Sequence, residues 1–315
     1  MTAAKALPRA ATVLVLRASP ASPAAAATVG DVEVLLVQRN SRASFMAGAY
    51  VFPGGRVDPA DLEAAAKSAS ASEPVPLTAA RHAAARELEE EVGLLVSDLS
   101  QLQRFAHWIT PSAEPKRFDT EFFTFALLPQ PQLGGQLPSL SITGTEVAKN
   151  AEVGAPLWLS PQAALQRYLQ GQLNLPPPTA CTLEELAAEL ELVKAQNPDC
   201  TAPELLAGLM QQTAARVPLP AMPKFLAPQA DQLAIVMPWD PDFPSLPGEG
   251  EPLQALASGA APVAARIRQC RLTLPTEGPG SSPGPAYAIT PPPSGAAAGV
   301  AAGIAIGVSW TVLRA

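Results

Sequence analysis

The sequence predicts an α/β fold, because short strand-like runs and longer helix-like segments follow one another along the chain. Two apolar, β-branched runs, 11–17 (ATVLVLR) and 32–38 (VEVLLVQ), flank a loop-like stretch of Ala, Ser and Pro, and they are expected to pair as strands. A helix is expected at 78–92, and Gly93 follows it where a left-handed residue ends many helices. This mixture of strands and helices is typical of an α/β domain.

The segments between and after these elements extend the same pattern. "VFPGG" (51–55) is an apolar run that stops at a proline and two glycines, which requires an abrupt turn. The composition at 62–77 changes to Ala, Ser, Pro and Glu, so a surface excursion is expected there. A helix is expected from Pro161 onward. Three further strands are expected, at 102–109, 118–128 and 156–159.

The C-terminal part is expected to add helices and strands to this domain. Thr182 and Glu185 have the spacing of a capping box, which predicts that a helix opens there. The segment 202–217 predicts a second helix. Later strands are expected in "LAIVMPWD" (233–240) and at 266–274.

A linker and an apolar tail are expected at the end of the chain. Gly, Ser and Pro dominate 275–295, which indicates a flexible linker. The tail 296–313 has no charged residue and about the length of a bilayer span. Its glycines Gly299, Gly303 and Gly307 have the spacing of helices that pair in lipid. A membrane anchor is one expectation for this tail, and a disordered tail is the other.

Composition narrows the classes of function. The chain of 315 residues is 48% hydrophobic, which is enough for a substantial core. Its net charge of -7 argues against nucleic acid as a partner, since phosphate contacts need clustered Lys and Arg. The cysteines lie far apart without a CxxC pair and histidines are scarce, so neither a zinc site nor a disulfide framework is indicated. His107, on a predicted strand, is expected to be a core or rim residue rather than a ligand.

The stretch "RELEEEVGLL", which begins at Arg86, carries four glutamates in five consecutive positions of the predicted helix. Glu87 and Glu91 are four residues apart, so they share one side of the helix and are expected to converge. Arg86 lies four residues before Glu90 and is expected to hold its carboxylate. Converging carboxylates form an oxygen site that suits Mg²⁺ or Mn²⁺, to which Gly54 in the glycine turn can add a backbone carbonyl. A charge run alone is otherwise explained as a solvated helix face.

The glycine turn and the acidic helix together resemble the Nudix hydrolases, whose signature is G-x5-E-x7-R-E-U-x-E-E-x-G-U, where U is a bulky aliphatic residue. The second half of the signature is met in register by Arg86, Glu87, Leu88, Glu90, Glu91, Gly93 and Leu94. The first half departs from it, because Asp61 stands where the signature has Glu and the gap to Arg86 is far longer than usual. An insertion at about 62–77 accounts for the gap, and no role is carried over to Asp61.

Other segments resemble one branch of this family, the acyl-coenzyme A diphosphatases of the type called nucleoside diphosphate-linked moiety X motif 19. They are "VLLVQRNSRASFMAGAYVFPGGRVDPAD", "HWITPSAEPKRFDTEFFTFALLP" and "NLPPPTACTLEEL". A coenzyme A-type element, L-L-x-x-R with G-x3-F-P-G-G, is met by Leu35, Leu36, Arg39, Gly48, Phe52, Pro53, Gly54 and Gly55. Its second Arg falls on Ser44 here. The resemblance runs, with gaps, from about Arg9 to about Leu274.

This resemblance implies a Nudix fold, an α/β/α sandwich around a mixed sheet, at 9–175, with a helical and strand addition at 176–274. It also implies metal-dependent hydrolysis of a diphosphate bond in coenzyme A or acyl-coenzyme A, which gives 3′,5′-ADP and a 4′-phosphopantetheine derivative. The implied ligands of Mg²⁺ or Mn²⁺ are Glu87, Glu91, Glu90 and Gly54.

The remaining site residues follow from the same resemblance. Arg86 is expected to orient Glu90, and the general base is either Glu90 or Glu152, with Glu90 favoured. The expected substrate-binding residues are Arg39 and Gly55.

Two other functions stay open at this point. One keeps the chemistry and changes the substrate to ADP-ribose, NADH or another nucleoside diphosphate derivative. The other is an inactive Nudix binding module tethered to a membrane, against which the intact glutamates count. The resemblance implies a peroxisomal location, although the sequence ends in Leu-Arg-Ala rather than in a Ser-Lys-Leu type of address. The cytosol and an organelle membrane are the alternatives.

Overall fold

The structure is a computed structural model that describes residues 6–22, 26–40, 48–68, 73–112, 114–128, 153–229, 232–238, 271–275 and 288–290. Glu152, Ser44, most of the predicted linker and the apolar tail lie outside the described residues. Of the helices in the described part of the chain, none combines the length and the hydropathy that a membrane span requires.

A mixed sheet forms the centre of the fold, and its central strand is β1 (Arg9–Ala18). This strand lies antiparallel to β2 (Val32–Arg39) and β4 (Gly54–Arg56) along one edge and parallel to β6 (Asp119–Leu127) along the other. The remaining strands of the sheet are β3 (Tyr50–Val51), β5 (Gln103–Ile109), β7 (Val153–Leu159) and β8 (Pro220–Ala221). The strand order is β3-β2-β1-β6-β5-β8, and β7 also pairs with β2. The mixed sheet predicted from the sequence is therefore confirmed.

Helices cover both faces of this sheet, and alternation along β1 shows how. Val13 and Val15 belong to one core together with Leu88, whereas Leu14 and Leu16 belong to the core on the other face, as expected from the two-residue period of a strand. The helices are α1 (Pro59–Ser68), α2 (Val75–Val92), α3 (Pro161–Leu169), α4 (Pro177–Gln196) and α5 (Ala202–Thr213). Since α2 packs on the first face and α3, α4 and α5 pack on the second, the α/β/α sandwich is confirmed.

The segment 62–77, where a surface excursion is predicted, is mostly exposed in its described residues, and most of these residues are helical. α1 occupies its first half, and α2 begins three residues before the predicted start. The N–H of Asp58 donates a hydrogen bond to Oδ2 of Asp61 at 2.8 Å, which satisfies an amide at the start of α1. α2 ends at Gly93 as predicted, and this glycine is left-handed with φ 68°.

The predicted start of the first C-terminal helix at Thr182 is wrong. α4 begins five residues earlier, because prolines suit the first turn of a helix. Thr182 instead lies buried inside α4, where its Oγ1 accepts a hydrogen bond from Nε1 of Trp108 at 3.2 Å. A capping box opens α5, where Thr201 and Glu204 exchange hydrogen bonds between side chain and backbone. α5 is four residues shorter than predicted.

A second, antiparallel sheet follows β8 in the chain. Its strands are β9 (Lys224–Gln229), β10 (Gln232–Val236), β11 (Arg271–Pro275) and β12 (Ala288–Thr290), in the order β12-β11-β10-β9. β12 lies within the predicted linker 275–295, so that prediction is wrong at these residues. Pairing of Leu272 with Ile289 satisfies backbone groups across the two strands, and composition alone does not reveal such a partner.

Candidate active site

The turn that leads from β3 into β4 ends in two glycines, Gly54 and Gly55, which are the first residues of β4 and are glycine for different reasons. A Cβ on Gly54 would lie 2.3 Å from the carbonyl oxygen of Ala11, and its φ of +152° disfavours other residues. A Cβ on Gly55 would lie 2.1 Å from Oε1 of Glu87. The first glycine therefore lets the turn lie against β1, and the second lets a carboxylate of α2 lie against the turn.

Two glutamates of α2 contact this glycine turn. Glu91 accepts a hydrogen bond from the N–H of Gly54, with 2.9 Å between the nitrogen and Oε2. The carboxylate of Glu87 lies against Gly55, in the space that a Cβ there would fill. One helical turn separates the two glutamates, so both project from the same side of α2. The structure thus brings together the two carboxylates that the sequence placed on one helix face.

The guanidinium of Arg86 organises the carboxylates around it. Its Nη1 donates to Oε1 of Glu87 at 2.9 Å and to Oε2 of Glu90 at 3.1 Å. Its Nη2 donates to the carbonyl oxygen of Arg56 at 3.0 Å. The predicted contact between Arg86 and Glu90 is present, and Arg86 also reaches β4 and holds Glu87.

Asp61 completes the surroundings of Arg86, although no role was assigned to it from the sequence. Its Oδ2 accepts from Nη2 of Arg86 at 3.0 Å, and its Oδ1 accepts from Nε at 3.3 Å. The residue is only 5% exposed, so this bidentate pair is well shielded from water. The available signal was its position in the first half of the signature, where Asp replaces Glu.

Burial and charge both act on the ionisation of this cluster. Burial raises the pKa of the Glu87 carboxyl, while the hydrogen bond from Arg86 opposes that shift and the charges of Glu90 and Asp58 add to it. The hydrogen bond to Asp61 is the main cause that raises the pKa of Arg86 above its usual range. Arg86 is therefore charged at any physiological pH, and Glu87 carries a charge that burial disfavours.

The donor set at the glycine turn fits a divalent cation of the magnesium type. Such an ion is usually held by one or two carboxylates together with waters and substrate phosphate oxygens, and Glu87 and Glu91 supply carboxylates at adjacent glycines. Within the described residues, no three His, Cys, Asp or Glu side chains are grouped as they are around a metal ion. The metal site therefore stays a prediction, and so does the carbonyl of Gly54 as a ligand.

Of the other predicted site residues, the structure describes Glu90 and Arg39. Glu90 is half exposed at 50% of its side chain and is held by Arg86. Arg39 ends β2, where its N–H donates to the carbonyl of Ala49 at 2.8 Å and its carbonyl accepts from Gly48 at 3.1 Å. Arg39 thus lies at the loop end of the β2–β3 hairpin. Val51, the last residue of β3, lies at the other end and leads into the glycine turn. The structure does not describe Glu152.

His107 belongs to a polar network on β5 and β6 and not to the carboxylate cluster. Its Nε2 lies 2.5 Å from Oδ1 of Asp119, and Arg104 forms an ion pair with Glu121 at 2.9 Å. The hydrogen bond with His107 is the main cause that lowers the pKa of Asp119. The expectation of a partnered core or rim histidine is confirmed.

Comparison with known proteins shows which family and which relatives this chain is similar to. The family model described as the NUDT19 Nudix domain matches residues 8–79, which run from β1 into the start of α2. The chain is 25% identical to the acyl-coenzyme A diphosphatase NUDT19 of Gallus gallus, over 47% of this chain and 59% of that protein. It is 26% identical to a Caenorhabditis elegans protein provisionally named nudix hydrolase 7, over 49% and 55%.

The chain spans between half and two thirds of the length of these curated relatives. Among solved structures, the crystal structure of a Nudix hydrolase from Alicyclobacillus acidocaldarius is similar at 27% identity and a TM-score of 0.46. That similarity covers 59% of this chain and 93% of the other.

Proposed function

We propose that this chain, as a member of the Nudix hydrolase superfamily and of its NUDT19-like branch, is a hydrolase of coenzyme A. It cleaves the diphosphate bond of coenzyme A or its acyl esters. Water adds across the bond, and the products are 3′,5′-ADP and a 4′-phosphopantetheine derivative. The observation that carries the proposal is the placement of Glu87 and Glu91 against the Gly54–Gly55 turn, where Arg86 donates a hydrogen bond to Glu87. The similarity to an acyl-coenzyme A diphosphatase supports the choice of substrate.

In this proposal Glu87 and Glu91 hold Mg²⁺ or Mn²⁺, and Glu90 and the Gly54 carbonyl are the further ligands. Such an ion, when bound, neutralises charge on the diphosphate and lowers the pKa of water. Residues of the chain position these carboxylates in advance. Arg86 fixes one oxygen of Glu87 and one oxygen of Glu90, and the N–H of Gly54 fixes one oxygen of Glu91.

The proposed general base is Glu90, with Glu152 as the alternative. Oε2 of Glu90 accepts a hydrogen bond from Arg86, so Oε1 is the oxygen that accepts the proton from the attacking water. The water oxygen then bonds to phosphorus as the bond from phosphorus to the bridging oxygen breaks. The bridging oxygen leaves on the departing phosphate.

Recognition of coenzyme A requires contacts outside the diphosphate, because that group is common to all candidate substrates. Binding that is equal for every diphosphate cannot discriminate between them. We assign the discriminating contact to Arg39, whose cation suits the 3′-phosphate of the adenosine. Gly55 is the other proposed substrate-binding residue, and the carboxylate of Glu87 occupies the space beside it that a Cβ would fill.

A panel of substrates at equal enzyme and Mg²⁺ concentrations tests this proposal. Coenzyme A and its acyl esters are expected to give a higher kcat/KM than dephospho-coenzyme A, ADP-ribose or NADH. The variant Arg39→Gln is expected to lose most of the preference for coenzyme A over dephospho-coenzyme A. A tenfold higher kcat/KM for ADP-ribose or NADH corresponds to about 1.4 kcal/mol in transition-state binding. That result would show that the substrate is one of these compounds and not coenzyme A. Binding of these ligands without turnover would indicate a binding module instead.

A further inference from the structure

The hydroxyl of Thr12 on β1 is bonded to the backbone of the turn that carries the two glycines. Its Oγ1 lies 2.7 Å from the carbonyl oxygen of Pro53 and 3.1 Å from that of Phe52, and it donates to this pair of carbonyls. The carbonyl of Pro53 also accepts the N–H of Val13 at 2.9 Å. Two donors of β1 therefore hold one carbonyl of the turn.

That carbonyl belongs to the same peptide group as the N–H of Gly54. The group is planar, and a peptide bond that does not precede proline is trans, so its C=O and N–H point in opposite directions. When β1 holds the carbonyl of Pro53, the N–H of Gly54 is directed away from β1. It meets Oε2 of Glu91 there, at 2.9 Å.

We propose that Thr12 is a positioning residue for the metal-binding carboxylates, acting through the peptide group between Pro53 and Gly54. The inference rests on the metal site of the proposed function but not on the identity of the substrate. Loss of the hydroxyl leaves the carbonyl of Pro53 with a single donor from β1, so the N–H of Gly54 is less firmly directed at Glu91. The same turn carries Gly55, against which Glu87 lies, so both carboxylates lose part of their orientation.

The variant Thr12→Val tests this role, because valine keeps the shape and the strand preference of threonine and removes the hydroxyl. A hydrogen bond contributes about 0.5–1.5 kcal/mol, which corresponds to about a 2- to 13-fold change in an equilibrium constant. Thr12→Val is therefore expected to raise the Mg²⁺ concentration for half-maximal activity by a factor in that range. Thr12→Ser restores the hydroxyl and is expected to stay within about twofold of the wild type.

Thermal unfolding of each protein titrated with Mn²⁺ or Mg²⁺ alone gives a second measurement that needs no substrate. The Thr12→Val midpoint of this titration is expected to move to higher metal concentration by the same factor. Thr124→Val is the matched control, since Thr124 is a buried threonine of β6 whose hydroxyl lies 3.4 Å from the carbonyl of Gln103, away from the turn. It is expected to change the unfolding temperature only. Thr12→Ala removes the hydroxyl from a smaller side chain and replaces Thr12→Val if that variant does not fold.

Three results overturn the positioning role. They are an unchanged metal dependence in Thr12→Val, a shift of equal size in Thr124→Val, or the absence of any metal response in the wild type. Failure of the wild type to hydrolyse coenzyme A contradicts only the proposed substrate, because the thermal titration does not involve it. A lower unfolding temperature without a shift of the metal midpoint would assign Thr12 to stability alone.

Discussion

Adjacent glutamates of α2 have different surroundings in the folded chain. Glu89 is exposed, Glu87 is half buried against Gly55, and Glu91 accepts the N–H of Gly54. Four carboxylates form ion pairs with the one guanidinium of Arg86, from Asp58, Asp61, Glu87 and Glu90. Because one positive charge faces several negative charges, this end of α2 keeps an excess of negative charge that a divalent cation can balance.

At this scale we predict that Glu87→Gln and Glu91→Gln each lower kcat/KM by at least about 100-fold, since groups that only support metal ligands already contribute about 10- to 100-fold. Folding raises the pKa of Glu87, so above the pKa of the unfolded chain its charge disfavours folding. Glu87→Gln should therefore unfold at the same or a higher temperature at pH 7 without metal. Differential scanning fluorimetry and a steady-state assay measure the two effects.

Glu89→Gln is the control for this prediction, because it removes the same charge from an exposed position of the same helix. It should keep nearly the full activity, and Mg²⁺ should raise its unfolding temperature as in the wild type. Near wild-type turnover by both Glu87→Gln and Glu91→Gln at saturating Mg²⁺ would show that the acidic face is only a solvated surface.

Among the elements, α1 and the segment after α5 are each joined to a neighbour by charged side chains. α1 is joined to α2 where Asp61 binds Arg86. The segment after α5 is joined to α4 by Arg216, whose guanidinium pairs with Glu185 and Glu189. This guanidinium also lies over the ring of Phe105 on β5, 4.5 Å from its centroid. Arg216 thus links α4 to β5 through two ion pairs and one cation–π contact.

The network around Arg216 leads to a prediction about stability. Glu185 and Glu189 are 6% and 7% exposed, and Arg216→Met leaves both carboxylates without this partner. Breaking a buried pair in this way costs about 3–5 kcal/mol, and urea denaturation should show a loss near the lower end because Arg216 is itself partly exposed.

Two variants control for other causes of that loss. Arg167→Met removes an exposed arginine of α3 and should change stability by less than about 0.5 kcal/mol. Adding Glu185→Gln and Glu189→Gln to Arg216→Met should recover part of the stability. An equal loss in Arg167→Met, or no recovery in the triple variant, would show that the ion network is not the cause.

The parts of the whole molecule differ in whether the match to the NUDT19 Nudix domain model covers them. The family model ends at residue 79, so it contains the glycine turn and Asp61 but stops before Arg86 and the glutamates of α2. The helices α4 and α5 close the sheet face opposite to α2. The candidate site therefore lies on the α2 side, and the additional helices contribute to the core on the other side.

At this scale, fractionation separates the two expectations for the apolar tail 296–313, a disordered tail and a membrane anchor whose glycines have the spacing of helices that pair in lipid. The results expected of an anchor are as follows. The full chain should sediment with membranes and resist extraction by alkaline carbonate. A chain that ends near Gly280 should be soluble and have the same kcat/KM. Recovery of the full chain entirely in the soluble fraction would contradict the anchor.

The sequence by itself determined the features that depend on local geometry. The shared face of Glu87 and Glu91 and the contact of Arg86 with Glu90 follow from a spacing of four residues on a helix. The layers of the sandwich were expected only from the resemblance to the Nudix hydrolases. The contacts of Asp61 with Arg86 and of Thr12 with Pro53 join residues that are 25 and 41 positions apart. Only the tertiary structure decided these contacts, because the packing of α1 on α2 sets the first, the packing of the glycine turn on β1 sets the second, and no local preference does.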